Sequence, residues 1–179
     1  TGDATLSQTF AVTNTGDVDL PFCLGGHPAF NVPVREGEAF EDYALWFSRA
    51  WTGISPTGED GIENYDRART IVDGTNRLPL THELFALDSF TLQDVPDSTI
   101  SMVGPTGHGV RVDFEGFDHI GVWSAAAAAD GTPAPFVALE PWCGTATRTD
   151  EDDVLEHKQN VIVAAPGQTV TRTFRITLL

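Results

Sequence analysis

Apolar and polar positions along the chain alternate in short runs, the period of strands that bury one face. Leu6, Phe10 and Val12 share one parity with polar residues between them, and Asn14-Thr15-Gly16-Asp17 then supplies turn chemistry. Leu20 to Leu24 and Tyr43 to Phe47 read as further strands. Ser98 to Val103 and Gly109 to Phe114 flank Gly104-Pro105-Thr106-Gly107-His108, a predicted hairpin. Ile120 to Trp123 and Phe136 to Leu139 are short apolar runs suited to buried strands. Thr169 to Leu179 alternates again, with Val170, Phe174 and Ile176 on one parity, and is expected to close a sheet.

Helical signal is confined to Asp150 to Lys158, one or two turns with aspartates able to cap the start. The alanine run Ala125 to Ala129, followed by Asp130-Gly131-Thr132-Pro133, reads as an exposed loop. The stretch from Arg49 to Arg77 is rich in Gly, Asp and Thr and reads as a long loop excursion of the kind that carries specificity. The pattern as a whole predicts an all-β chain, a sandwich or barrel, with residues 1–179 forming a single domain.

Composition narrows the partners. The 179 residues suffice for a domain with a sizeable core. The net charge is −16, from 10 basic and 26 acidic side chains, which argues against nucleic acid and anionic membrane surfaces as partners. No apolar run is long enough to cross a bilayer. The chain begins at Thr1 rather than Met and is read as part of a longer or processed protein. Cys23 and Cys143 match no zinc spacing. Buried free thiols are the favoured reading of them, with a disulfide and a metal cluster including His27 as alternatives.

Two strings carry candidate chemistry: Gly25-Gly26-His27-Pro28-Ala29-Phe30 and Leu139-Glu140-Pro141-Trp142-Cys143-Gly144. Each sets one ionisable side chain on a backbone constrained by the proline that follows, at a predicted strand end. Histidine readily exchanges protons near neutral pH, and glutamate is a ready partner base. Locally, His27 also reads as a structural histidine and Glu140 as an end-of-strand carboxylate paired with an arginine. Trp142, and Phe30 beyond His27, offer flat apolar faces suited to the C–H face of a sugar. Asp88 interrupts the apolar stretch Leu84 to Phe90 and could hold a hydroxyl or simply cap a turn. His82, His108, His119 and His157 read as surface or packing residues. Neither a glycine-rich phosphate loop nor a nucleophile elbow is present.

The ordered strings Val12-Thr13-Asn14-Thr15-Gly16-Asp17, Leu20-Pro21-Phe22, Gly25 to Phe30, Phe85 to Phe90, Gly109 to Phe114, Gly121-Val122-Trp123-Ser124, Glu140-Pro141-Trp142 and Ala165-Pro166-Gly167-Gln168 resemble the aldose 1-epimerase (galactose mutarotase-like) family across nearly the whole chain. The bacterial branch near lactose-operon and hexose-phosphate epimerase relatives is the most similar. The resemblance implies a large twisted antiparallel β-sandwich, the mutarotase supersandwich, of which about a hundred N-terminal residues are not in this sequence. It implies a cytoplasmic, cofactor-free and metal-free isomerase that interconverts the α and β anomers of a small-molecule aldose, free or phosphorylated. Glu140 would act as general base and His27 as general acid, with Asp88, Trp142 and Phe30 as substrate-binding residues. The missing segment normally supplies an arginine and a second histidine. Cys143 stands where relatives often carry histidine, which bears on substrate specificity. The sequence assigns no oligomeric state. Two other readings are a non-catalytic carbohydrate-binding module and glycoside hydrolysis by Asp88 and Glu140.

Overall fold

The computed structural model describes residues 4–59, 61–125 and 132–179. Most of the predicted alanine loop, residues 126–131, lies outside them. The described residues are all-β, with strands β1 (Thr5–Thr13), β2 (Leu20–Phe22), β3 (Leu24–Gly25), β4 (Ala29–Asn31), β5 (Ala44–Glu59), β6 (Ile62–Pro79), β7 (Phe90–Gln93), β8 (Thr99–Val103), β9 (Gly109–Asp113), β10 (His119–Trp123), β11 (Phe136–Cys143), β12 (Thr147–Arg148), β13 (Ile162–Ala164) and β14 (Thr169–Leu178). A seven-stranded sheet runs β1-β14-β9-β8-β5-β6-β12. A second sheet runs β3-β11-β10-β7, with β4 also pairing β11, and β13 with β2 forms a two-stranded ribbon. All pairings are antiparallel except β6 with β12.

The two large sheets meet in one hydrophobic cluster. Ile100, Met102, Val112 and Phe174 come from the first, and Leu92, Ile120, Val122, Val137 and Leu139 from the second. These residues fall on alternate positions of their strands, so the opposite face of each strand is left for other work. On the second sheet that face carries the candidate site.

Three sequence expectations are corrected. The excursion from Arg49 to Arg77 is not a loop but the body of a long hairpin, in which β5 and β6 pair from Ala44 and Pro79 out to Glu59 and Ile62. Its register shifts at four places, and such bulges break the two-residue period that would have revealed it. Leu20 to Leu24 is two strands, because the chain leaves β13 and joins β11 on either side of Cys23. The expected helix near Lys158 is a single 3-10 turn, Leu155–His157. Its aspartates are spent elsewhere: Asp150 binds Arg148, and Asp152 accepts from the Val154 amide and pairs with His157. The Asn14 turn forms as expected, with the Asn14 amide donating to the carbonyls of Val18 and Ala164. Among the described residues no helix is long and apolar enough to cross a membrane, which says nothing of a β-barrel.

Candidate functional site

β3 and β4 are one edge strand interrupted at residues 26–28. Both keep the same register on β11: Gly25 faces Trp142 and Ala29 faces Ala138. Position 27 therefore falls directly opposite position 140. The flanking bonds confirm this: the Gly26 N–H donates to the Pro141 carbonyl and the Leu139 N–H to the Pro28 carbonyl, each at 3.0 Å. Each of these hydrogen-bonded pairs contains one proline and carries one bond instead of two. His27 and Glu140 form the non-hydrogen-bonded pair between them, the kind in which opposite side chains approach most closely. Their side chains meet at 3.3 Å, Nε2 to Oε1.

The pair is asymmetric. The His27 side chain is 60% exposed and that of Glu140 only 6%. Glu140 is not at the end of its strand as expected but within it, since β11 continues to Cys143. Burial pushes the Glu140 carboxyl above its ordinary range. The His27 imidazole and the Trp142 side chain oppose that rise, and Asp88 adds to it. Glu63 on β6 is shifted the same way by burial, with the Thr91 hydroxyl donating to its Oε1 at 3.0 Å as partial compensation.

Both shifts make a prediction about stability. Below about 4.5, the ordinary value for both groups, folded and unfolded chains alike hold the proton. As pH rises from there through the elevated folded-state values, the unfolded chain releases its protons first, and the folded state loses stability. Glu63→Gln and Glu140→Gln should each gain stability relative to the parent chain over that window. Urea melts at stepped pH check this, and parallel curves for parent and variants would refute it.

The cleft at the pair has a volume of about 440 Å³ and is lined by Cys23, Gly25, His27, Glu140, Trp142 and Thr145 among others. Trp142 lies flat across its floor. A Cβ on Gly25 would stand 2.7 Å from Trp142 Cδ1, and one on Gly121 of β10 would stand 2.6 Å from Cζ2. The indole therefore needs hydrogen at both positions to span the sheet. The Trp123 indole N–H donates to Asp88 Oδ1 at 2.8 Å, and its ring meets His27 edge-on at 5.9 Å between centroids. Asp88 sits at φ 71°, a left-handed conformation that aspartate tolerates better than most residues.

The structure thus brings His27, Glu140 and Trp142 together and links Asp88 to them through Trp123. It does not bring Phe30, which faces Val137 on the opposite side of the sheet and packs against the core. The cysteines are both free, but only Cys143 is buried. Cys23 is exposed at the edge of the cleft, correcting the expectation of two buried thiols. Cys143 belongs to the core, and its thiol lies 3.5 Å from the Gly116 carbonyl. Trp123, Gly121 and Thr91 were not singled out from the sequence as site residues. The period-2 register from Glu140 through Gly121 to Thr91 is the signal that joins them.

The chain is 34% identical over 174 residues to the chromosomal and plasmid forms of protein LacX from Lactococcus lactis subsp. lactis. The match covers 95% of this chain and 56% of each relative. A solved galactose mutarotase related enzyme from Lactobacillus acidophilus superposes with a TM-score of 0.86 at 26% identity, over 98% of this chain and 58% of that one. The chain has the galactose mutarotase-like fold and is related to LacX. A galactose mutarotase-like protein from Lactobacillus casei ATCC 334 shares that fold, at a TM-score of 0.74 and 24% identity, over 100% of this chain and 60% of that one. No family model matches the chain. The mutarotase-like region seen here is thus a little over half the length of the curated relatives it matches.

Proposed function

We propose that the protein is an aldose 1-epimerase-like isomerase that interconverts the anomers of a hexose. The observation that carries this reading is the cross-strand pair of His27 and Glu140 at 3.3 Å. Mutarotation moves protons at two oxygens bonded to the same carbon, the anomeric hydroxyl and the ring oxygen. An acid and a base must therefore stand side by side, and a directly opposed pair on adjacent strands does this. Glu140 takes the proton of the anomeric hydroxyl while His27 protonates the ring oxygen. The ring opens, the C1–C2 bond turns, and reclosure with the roles reversed yields either anomer. Each proton transfer is worth roughly 10²–10⁴-fold. Trp142 offers a flat platform for the apolar face of the pyranose, and Asp88 a hydroxyl contact with whatever acceptor capacity Trp123 leaves it. A cytoplasmic location and a small-molecule aldose, free or phosphorylated, accompany the reading.

Paired-carboxylate glycoside hydrolysis is less well supported, because it assigns no role to the histidine that touches Glu140. The second reading, a carbohydrate-binding module, draws on the indole platform, which would serve a bound sugar without turnover. Polarimetry with freshly dissolved α-D-glucose, α-D-galactose and their 6-phosphates tests the proposal, using the chain and any longer form its gene encodes. The expected result is decay of rotation faster than in buffer, with an acid limb in the pH profile above the ordinary carboxylate range. No acceleration with any of these sugars would defeat the catalytic reading.

A further inference from the structure

Trp123 takes no part in the proton transfers described above, yet it touches two of the residues involved. It lies on β10 two positions beyond Gly121, and so on the face that carries Glu140. Its neighbours across the sheet are Ala138 on β11 and then Ala29 on β4. Both carry only a methyl group, which leaves room for the indole to reach the interrupted edge strand. There it meets the His27 imidazole edge-on, at 5.9 Å between centroids and 85° between ring planes. Its N–H donates to Asp88 Oδ1 at 2.8 Å. The Phe136 ring packs against the indole at 5.4 Å between centroids and anchors it.

Both contacts answer a need. The His27 side chain is mostly exposed, so packing alone does not choose among its staggered rotamers. Only a rotamer that keeps Nε2 beside Glu140 serves the proton transfer. An edge-to-face ring contact is strong enough to bias such a population roughly two- to ten-fold. Asp88 is exposed as well, in a turn at φ 71°, and an exposed carboxylate swivels freely unless something holds it. The indole N–H pins Oδ1 and so fixes the plane in which the second oxygen is presented. Asp88 also stands close enough for its charge to oppose ionisation of Glu140. One half-buried indole thus sets the direction of two side chains that are otherwise loosely held.

We propose that Trp123 is a positioning residue for anomer interconversion, a role that rests on the isomerase reading of the cleft. Its ring holds the His27 imidazole toward Glu140, and its N–H holds Asp88 for a sugar hydroxyl. The first contact acts on kcat and the second on KM.

The test is polarimetry over a range of α-D-galactose concentrations, at temperatures where parent and variants are fully folded. Trp123→Phe keeps an aromatic ring and removes the donor. Its KM should rise roughly two- to ten-fold, the worth of one hydrogen bond, with kcat within about twofold of the parent. Trp123→Leu removes both contacts and should also lower kcat, by the roughly two- to ten-fold of the lost ring contact. In a His27→Gln background, Trp123→Leu should lower the residual kcat no further, because its effect on rate passes through His27. An equal fall in that background overturns the proposal. So do unchanged kinetic constants in both single variants, and a lowered Tm without them would mark Trp123 as purely structural. A parent that binds galactose in equilibrium dialysis without accelerating mutarotation overturns the isomerase reading and the hold on His27 with it. Weaker dialysis affinity in Trp123→Phe would then uphold the hold on Asp88, and unchanged affinity would overturn that too. A parent that neither turns over nor binds galactose overturns the reading and the proposal together.

Discussion

Glu140→Gln should abolish anomer interconversion while leaving sugar binding and the fold intact. The substitution keeps the shape of the side chain and removes the one group able to accept the anomeric proton. The rate should drop by roughly the 10²–10⁴-fold assigned to a positioned general base. The neutral amide also relieves a buried, partly desolvated carboxylate, so the variant should be no less stable than its parent near neutral pH. His27→Gln should produce a loss of similar order. The double variant should lose little more than the worse single one, because the two side chains act on one proton circuit. Polarimetry gives the rates and equilibrium dialysis with labelled galactose gives the binding. If Glu140→Gln retained most of its rate, Glu140 could not be the base. If the parent bound sugar but showed no rate to lose, the binding-module reading would be preferred.

The largest effect on stability is expected from Phe174→Ala. Phe174 is wholly buried on β14, with ring centroids 6.2 Å from Phe10 and 6.0 Å from Phe117. Removing it should cost about 3–5 kcal/mol, a fall in Tm of roughly 6–20 °C for a chain of this size. The damage should reach the cleft as well. The Phe174 ring lies directly beneath Gly26, where a Cβ would stand 2.6 Å from Cε1, so this aromatic edge holds up the backbone that presents His27. At temperatures where the variant is fully folded, its turnover should still be below that of the parent. Calorimetry and rate measurements at matched fractions folded separate the two consequences. A variant melting within a degree or two of its parent would mean that the site backbone is supported from elsewhere.

Much of this was legible in the sequence because the informative residues report locally. Alternation at Leu6, Phe10 and Val12 and at Val170, Phe174 and Ile176 marked strands that pair in the structure. The X-Pro strings marked His27 and Glu140. What was hidden depended on contacts distant in sequence. The bulges of β5 and β6 erased the alternation that would have shown a hairpin. Glu140 read as a strand end because it closes the apolar run from Phe136 to Leu139, yet Pro141's missing donor points at Gly26 rather than at β10, so the strand runs on. Phe30 read as a sugar platform because it follows His27 closely, but three residues along a strand reverses the face. His119 read as a surface or packing residue, and the fold buries it completely with neither ring nitrogen hydrogen-bonded.

The half-empty ladder around residues 27 and 140 has a mechanical consequence. In a regular antiparallel ladder, drawing an edge strand away from its neighbour breaks bonds two at a time. Here it breaks one at Gly26 and one at Leu139. The acid and base stand 3.3 Å apart across the cleft, and two oxygens of a pyranose must fit between them. The sheet can peel here, like a seam stitched loosely for a few millimetres, and make that clearance without unzipping on either side.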